Sequence, residues 1–304
     1  MIHHLQRLAL HLKMDSAFDP DADTYPKYLP DLDNVHVTNC NYCDVSDLHI
    51  FNSLFFSILM INIRSCKKNF NHFLALFSSV LTYFTCIVFT ETWLSCESDN
   101  VYSIPGFHYY DLYRNQYGGG IKIYVRNGIH TRVLSDFTLL SDLFEMLTIE
   151  LCLDCKKYVL SAVYHPPTSS HENNYDFVYS YTSYLRELID RHSDSVVTCG
   201  DFNLNLLNPN NFGYIDCFIN NMFEIGLTPH INIPTKVNLE NAITRFSILD
   251  QIWSSHSLSV KRAFVTPVDI TDHFPVGIFT NVHHDLKTNA IKKRPLREKL
   301  HTRN

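Results

Sequence analysis

The sequence predicts a sheet-rich α/β domain, two facing sheets with helices on the outside. Strand-like segments outnumber helical ones, the helical segments lie between strands, and no fixed repeat period runs through the chain. With 304 residues, 45% of them hydrophobic, the chain has enough apolar side chain for a substantial core. Its apolar residues come in many short runs, which two sheets packed face to face would bury.

Along the chain, residues 1–50 read as a poorly ordered leader. Asp15, Asp19, Asp21, Asp23, Asp31 and Asp33 stand among three prolines, a composition with too little apolar surface to offset ordering. A folded domain is expected over 51–282. It opens with a buried strand over 57–62 that ends on Asn62. Phe70, Phe73, Leu74, Phe77, Leu81 and Phe84 recur at three- and four-residue spacing and predict one amphipathic helix. A second strand over 86–89 stops at Thr90-Glu91.

The middle third alternates as strands do. Ile121, Ile123 and Val125 follow Gly118-Gly119-Gly120, then come Leu147, Ile149 and Leu151, and a strand over 158–163 runs into Tyr164-His165-Pro166-Pro167. Phe177, Val178, Tyr181, Leu185, Leu188 and Ile189 mark a helix, which leads to a strand over 195–199 closed by Gly200-Asp201. A third helix carries Ile215, Phe218, Ile219, Met222 and Phe223, with Gly226 as its left-handed cap. Late strands are expected over 246–253, 263–266 and 276–280.

Several compositions are excluded. No run of about 20 apolar residues exists, so no membrane helix is expected, and residues 1–13 lack the small-residue cleavage site of a signal peptide. Nine cysteines, an odd number without a compact framework, suit reduced thiols in an intracellular protein, with the nucleus open as a compartment. Two CxxC spacings, Cys40/Cys43 and Cys152/Cys155, leave a zinc site as the alternative to free thiols. The formal charge is −6, but residues 287–304 hold seven Lys/Arg against Glu298, a local +6 that leaves −12 on residues 1–286. Residues 283–304 therefore read as a basic flexible tail, with a phosphate clamp as the alternative.

Most of the predicted strands stop at a residue able to bind metal, phosphate or a proton: Asn62, Glu91, Tyr164, Asp201 and Asp250, with Asp272-His273 just before the last strand. Singly, each has an ordinary explanation as a turn, a solvated carboxylate or a core aromatic. Together they fit water attack on phosphorus. In Gly200-Asp201-Phe202-Asn203 an extended backbone would send Asp201 and Asn203 to one side and Phe202 into the core, so that the carboxylate accepts a proton from a water held by the amide. His273 suits stabilisation of a phosphoryl oxygen, with Asp250 fixing its tautomer. Glu91, helped by Asn62 and Asp272, offers the hard oxygen ligands Mg²⁺ prefers. GxSxG, HExxH and GxxxxGK[ST] are all absent.

These residues, in this order, resemble the endonuclease/exonuclease/phosphatase superfamily over about 55–280. The motifs are Ile61-Asn62-Ile63-Arg64-Ser65, Thr90-Glu91-Thr92-Trp93-Leu94, the glycines before a strand, Tyr164-His165-Pro166-Pro167, Gly200-Asp201-Phe202-Asn203, Leu249-Asp250-Gln251-Ile252-Trp253 and Thr271-Asp272-His273-Phe274-Pro275. Their flavour is similar to the endonuclease domain of non-LTR retrotransposon polyproteins.

The resemblance implies a DNase I-like two-sheet sandwich with its site at one edge, and a Mg²⁺-dependent DNA endonuclease, with Mn²⁺ as a substitute ion, that acts as a monomer away from membranes. It implies metal at Glu91 with Asn62 and Asp272 beside it, Tyr164 on the scissile phosphate, Asp201 and Asn203 on water, and Asp250 holding His273. Thr235 resembles a phosphate-contacting threonine. The chain departs from the retroelement pattern at His165, where relatives carry arginine, and at Gln251. Relatives continue into a reverse transcriptase, which is not expected within these 304 residues. A phosphatase or lipid phosphodiesterase on the same fold, and an inactive truncated remnant, are the alternatives.

Overall fold

A computed structural model describes residues 40–50, 55–95, 102–192, 195–207, 212–240 and 243–283. The first sheet is ordered β1 (Cys40–Tyr42), β15 (Val260–Val265), β16 (Val276–His283), β2 (Phe55–Asn62), β3 (Cys86–Thr90), β5 (Ile121–Arg126), β4 (Phe107–Leu112). The second is ordered β11 (Leu227–Pro229), β14 (Asp250–Ser255), β10 (Val196–Asp201), β9 (Lys156–Tyr164), β8 (Glu145–Leu153), β6 (His130–Val133), with β7 (Leu139–Leu140) also on β8. A hairpin of β12 (Lys236–Glu240) and β13 (Ile243–Ser247) stands apart.

The sheets face one another because alternate residues on their strands are apolar on both sides. Ile58, Met60, Val88 and Ile123 of the first sheet share one buried cluster with Leu160, Ala162, Val197 and Ile252 of the second. The other side of β2 and β3, with Leu59, Ile61, Ile87 and Phe89, packs under helix α1 (Cys66–Phe77) through Phe70, Phe73 and Phe77. Helices α2 (His171–His192) and α3 (Gly213–Glu224) cover the second sheet: Phe177, Tyr181 and Phe218 ring Phe202, and Phe218 meets Trp253. The predicted α/β sandwich with outer helices is the observed fold.

Local departures have physical reasons. The first helix ends at Phe77, where Ser78 and Ser79 follow; Leu81 stays buried in the same cluster on a short 3₁₀ turn, Leu81–Tyr83, and Phe84 does so in the extended residue after it. The single strand expected over 246–253 is two strands, because Ile248 and Leu249 turn their carbonyls to the amides of Leu206 and Phe202 in the loop after β10. Asp250 thus begins a strand instead of ending one. Strand β1 pairs in parallel with β15, so Cys40–Tyr42 belong to the sheet and not to a disordered leader. The rest of that leader, 1–39, and most of the basic tail, 284–304, lie outside the described residues.

Cys40 and Cys43 are buried, whereas Cys152 and Cys155 flank the turn between β8 and β9. That turn carries Asp154 and Cys155 at φ 46° and 64°, the geometry of a tight hairpin, and among the described residues no cysteine joins a group of side chains placed to hold a metal. Gly226 has φ +80°, the expected left-handed cap of α3. Among the described residues no helix is long and apolar enough to cross a membrane.

Candidate active site

The site lies where the parallel pairs β2/β3 and β9/β10 both run out. Three of its residues form one row across neighbouring strands: Tyr164 is in register with Asp201, and Asp201 with Asp250. Glu145 extends the row beyond Tyr164. From the opposite sheet, Asn62 continues the inward-facing side of Ile58 and Met60, and its Nδ2 donates to Asp201 Oδ2 at 2.8 Å. This hydrogen bond ties the two sheets together at the site.

Asp201 is the centre of a buried network. Besides Asn62, it receives the backbone N–H of Asn203 on Oδ1 (3.1 Å) and Asn203 Nδ2 on Oδ2 (3.2 Å). Asn203 has φ 48°, so the backbone turns over instead of staying extended. The turn, not strand alternation, brings its side chain back to Asp201, while Phe202 is fully buried as expected. Burial pushes the Asp201 carboxyl up to about 7, with Asp250 adding to the rise and His273 and Asn62 opposing it. A carboxylate so poised suits a base working near neutral pH.

His273 Nδ1 faces both oxygens of Asp250, at 2.9 and 3.1 Å, with both residues buried. Burial alone would disfavour the imidazolium, but the charges of Asp250 and Asp201 outweigh it, and the His273 pKa is raised. Behind the pair, Thr235 donates to Asp250 Oδ2 at 2.8 Å and accepts the backbone N–H groups of Leu249 and Asp250. Thr235 is fully buried. Its hydroxyl locks Asp250 in place.

Glu91 sits at φ 53° just past β3, its backbone carbonyl taken by Ser65 N–H. Tyr164 Oη donates to Oε1 and Trp93 Nε1 to Oε2, both at 2.7 Å. Burial, then the Glu91 charge, keeps the Tyr164 hydroxyl protonated far above the usual phenol range. Asp272 pairs with Arg64 Nη1 (2.6 Å) and Lys236 Nζ (3.1 Å). Burial raises its pKa, but His273, Lys236 and Arg64 together hold it below the ordinary carboxylate value.

Of the positive-φ residues other than glycine among the described residues, Arg64, Ser65, Glu91, Trp93 and Asn203 all border this site. Such backbone costs about 1 kcal/mol or more per residue and persists where the surroundings enforce it.

His165, where the chain departs from the retroelement pattern, is buried and faces inward. Its Nδ1 donates to Phe202 O (2.8 Å), its N–H to Asp201 O (3.0 Å), its carbonyl accepts Asn203 Nδ2 (2.7 Å), and its ring stacks on Phe177 at 3.9 Å. Burial pushes its pKa down to about 4, so the ring is neutral. Neither this clamp nor the cation pair on Asp272 shows in the sequence, because both depend on contacts between distant segments. Trp93 within the Thr90–Leu94 motif was the one available hint of what steadies Glu91.

Two acidic groups flank the cleft. Asp201, Asp250 and His273 bring potential ligand atoms within 4.8 Å of one another. Within that cluster Asp201 accepts from Asn62 and Asn203 and His273 faces the Asp250 carboxylate, an arrangement suited to passing protons. The half-buried carboxylate of Glu91, held from behind by Tyr164 and Trp93, is of the hard-oxygen type that Mg²⁺ or Mn²⁺ takes. The donor set therefore fits such a cation.

The endonuclease/exonuclease/phosphatase family model matches residues 61–273, from the residue before Asn62 through His273. No curated protein sequence matches the chain. Among solved structures, the endonuclease domain of TRAS1, a telomere-specific non-LTR retrotransposon, is 12% identical with a TM-score of 0.57, over 74% of this chain and 98% of that one. A mannosyl-6-phosphatase from Bacteroides thetaiotaomicron is 16% identical with a TM-score of 0.56, over 74% and 99%. A 3′ phosphatase from Neisseria, bound to a product DNA hairpin, is 16% identical with a TM-score of 0.56, over 76% and 99%. These likenesses concern the fold, whereas the family match takes in every predicted site residue, and the chain belongs to the endonuclease/exonuclease/phosphatase family.

Proposed function

We propose that the chain is a divalent-metal-dependent phosphodiesterase that nicks DNA, an endonuclease of the non-LTR retroelement kind. The observation that carries the reading is Asp201, held by Asn62 and Asn203 and facing the Asp250–His273 pair across a buried site. Asp201 takes a proton from the attacking water, and Asn203 orients that water. His273, favoured as the imidazolium by Asp250, donates to a non-bridging phosphate oxygen as charge builds there. Water oxygen bonds to phosphorus and the bond to the 3′ oxygen breaks, and that oxygen takes a proton from solvent, leaving a 3′-hydroxyl and a 5′-phosphate. Tyr164 and Trp93 fix Glu91, which with Asn62 and Asp272 alongside would hold the cation. Bound there, Mg²⁺ or Mn²⁺ supplies positive charge to the phosphate oxygens.

A supercoiled-plasmid nicking assay tests this. Nicking is expected with Mg²⁺ and lost in EDTA, and Asp201→Ala or His273→Ala should each lower it by about 10²-fold or more. Intact plasmid at every metal concentration would sink the proposal. The phosphatases among the fold neighbours support a second reading, hydrolysis of phosphomonoesters, which turnover of a soluble phosphomonoester with DNA left intact would favour.

A further inference from the structure

Asp272 is bracketed by two cations from distant parts of the chain. Arg64 reaches Oδ1 from the turn after β2, and Lys236 reaches Oδ2 from the start of β12. One carboxylate between two cations leaves the trio at +1, at the rim of a site otherwise dominated by Glu91, Asp201 and Asp250. The two cations differ in exposure: the Arg64 side chain is 45% exposed, that of Lys236 only 15%. A guanidinium has five N–H donors in a planar fork, and Arg64 uses one nitrogen on Asp272 while nearly half its side chain meets solvent.

The backbone holds this arginine in place at a cost. Arg64 is left-handed, φ 43°, with its N–H on Asn62 Oδ1 and its carbonyl accepting Asn69 Nδ2. Lys236 is placed as firmly, by a bridge between its backbone and that of His273. Beyond Arg64, Lys67 and Lys68 are exposed in the first turn of α1, which has no acidic residue. Cations there are disfavoured by the helix dipole, so the charge serves something other than the helix.

We propose that Arg64 and Lys236, ordered by Asp272, bind a phosphate of the nucleic-acid strand next to the one attacked, and that the strand runs from there past Lys67 and Lys68. The inference rests on the phosphodiesterase reading for its substrate class, and it assigns a role to residues outside the hydrolytic set. Asp272 lies one residue from His273, so a phosphate on the two cations adjoins the phosphate that His273 serves. A substrate with a single phosphate gains nothing from them. A polyanionic strand does.

Binding measured without turnover tests it. Fluorescence anisotropy of a labelled duplex of about 20 base pairs, in EDTA and across roughly 50–200 mM salt, gives the dependence of affinity on salt. Arg64→Gln and Lys236→Met should each lower the log–log slope by about 1, and Arg64→Lys should restore it. Circular dichroism melts matching wild type establish that the variants fold, and should Arg64→Gln misfold, Lys236→Met alone carries the test. Slopes unchanged in the folded variants, or a wild-type chain with no affinity for the duplex, would overturn the inference. Wild-type binding with these losses, but no nicking when Mg²⁺ is added, would leave it standing and remove the endonuclease reading alone.

Discussion

His273 Nδ1 lies within 3.1 Å of both carboxylate oxygens of Asp250, and Thr235 holds one of those oxygens from behind at 2.8 Å. The imidazole is thus oriented by a residue that is itself oriented. Asp250→Asn keeps the shape but removes the charge that favours imidazolium, and nicking should fall by about 10²-fold or more. Thr235→Val strips the backbone N–H groups of Leu249 and Asp250 of their acceptor. At ~1–3 kcal/mol for each unsatisfied group, it should lower the melting temperature markedly, with a smaller loss of rate than Asp250→Asn. Steady-state nicking rates and thermal melts of the two variants check this ordering.

The proton balance of the site predicts a bell-shaped pH profile. Asp201, raised to about 7 by burial, must be ionised to act, so activity should fall as pH drops through that value. His273, raised by Asp250 and Asp201, must be protonated to donate, so activity should also fall as pH rises beyond its pKa. Asp201→Glu, if active, moves the acidic limb and leaves the alkaline one. A profile with no acidic limb near neutrality would contradict the role given to Asp201.

Glu91 owes its orientation to two donors, Tyr164 Oη and Trp93 Nε1. Trp93→Phe removes one without touching the proposed reacting atoms. Groups that orient a metal ligand are commonly worth about 10–100-fold in metal affinity. The Mg²⁺ concentration giving half-maximal nicking should rise by about that factor, with the rate at saturating Mg²⁺ largely retained. A Mg²⁺ titration of the variant measures it.

Stability has its own pH dependence, readable in two buried histidines outside the hydrolytic set. His165 and His230 are pushed down to about 4 and about 3 by burial, below the ordinary value near 6.5. Below that value the unfolded chain binds the extra protons, so their contribution is present above about 6.5 and is lost as pH falls towards 4. Asp201 acts in the opposite sense, because its raised pKa lets the folded state take a proton as pH drops through 7. His230, bonded to Ser254 Oγ at 2.8 Å and remote from the reacting groups, separates the two effects. His230→Gln should flatten the fall in melting temperature between pH 6.5 and 4, measured by thermal melts at stepped pH.

Gly200 precedes Asp201 on β10, and a Cβ there would stand 1.8 Å from the carbonyl oxygen of Val163. Gly200→Ala must push β9 and β10 apart where they carry Tyr164 and Asp201. A strain of about 3 kcal/mol corresponds to roughly 6–12 °C in melting temperature for a domain of this size. Calorimetry of the variant gives the figure, and an unchanged midpoint would show that the strands yield freely there.

The pattern of strand ends was legible because strands leave a period-2 signature and the site uses the residues where that signature stops: Asn62, Tyr164 and Asp201. Asp250 was legible as a site residue but not as a strand start, since Ile248 and Leu249 look like strand and are diverted by the loop after β10. The placing of Asn203 was right in outcome and wrong in cause, because a left-handed turn cannot be read from an Asn that also suits extended chain. What Thr235 and His165 hold in place was not legible, for one shared reason. Their polar groups are spent on partners far off in sequence, Asp250 in one case and Phe202 and Asn203 in the other, and only the closed fold shows where a hydroxyl or an imidazole goes.

The row that links Glu145, Tyr164, Asp201 and Asp250 spans four adjacent strands. Strand side chains alternate faces, so gaining or losing a single residue inside β8, β9, β10 or β14 turns the downstream half of that strand inside out. The far end of the same hairpin, at Asp154-Cys155, has no such constraint. A scan of one-codon insertions should therefore divide the gene sharply: tolerated at that turn, lethal to activity a few codons on. The reading frame of the sheet is, in that sense, as strict as the reading frame of the message.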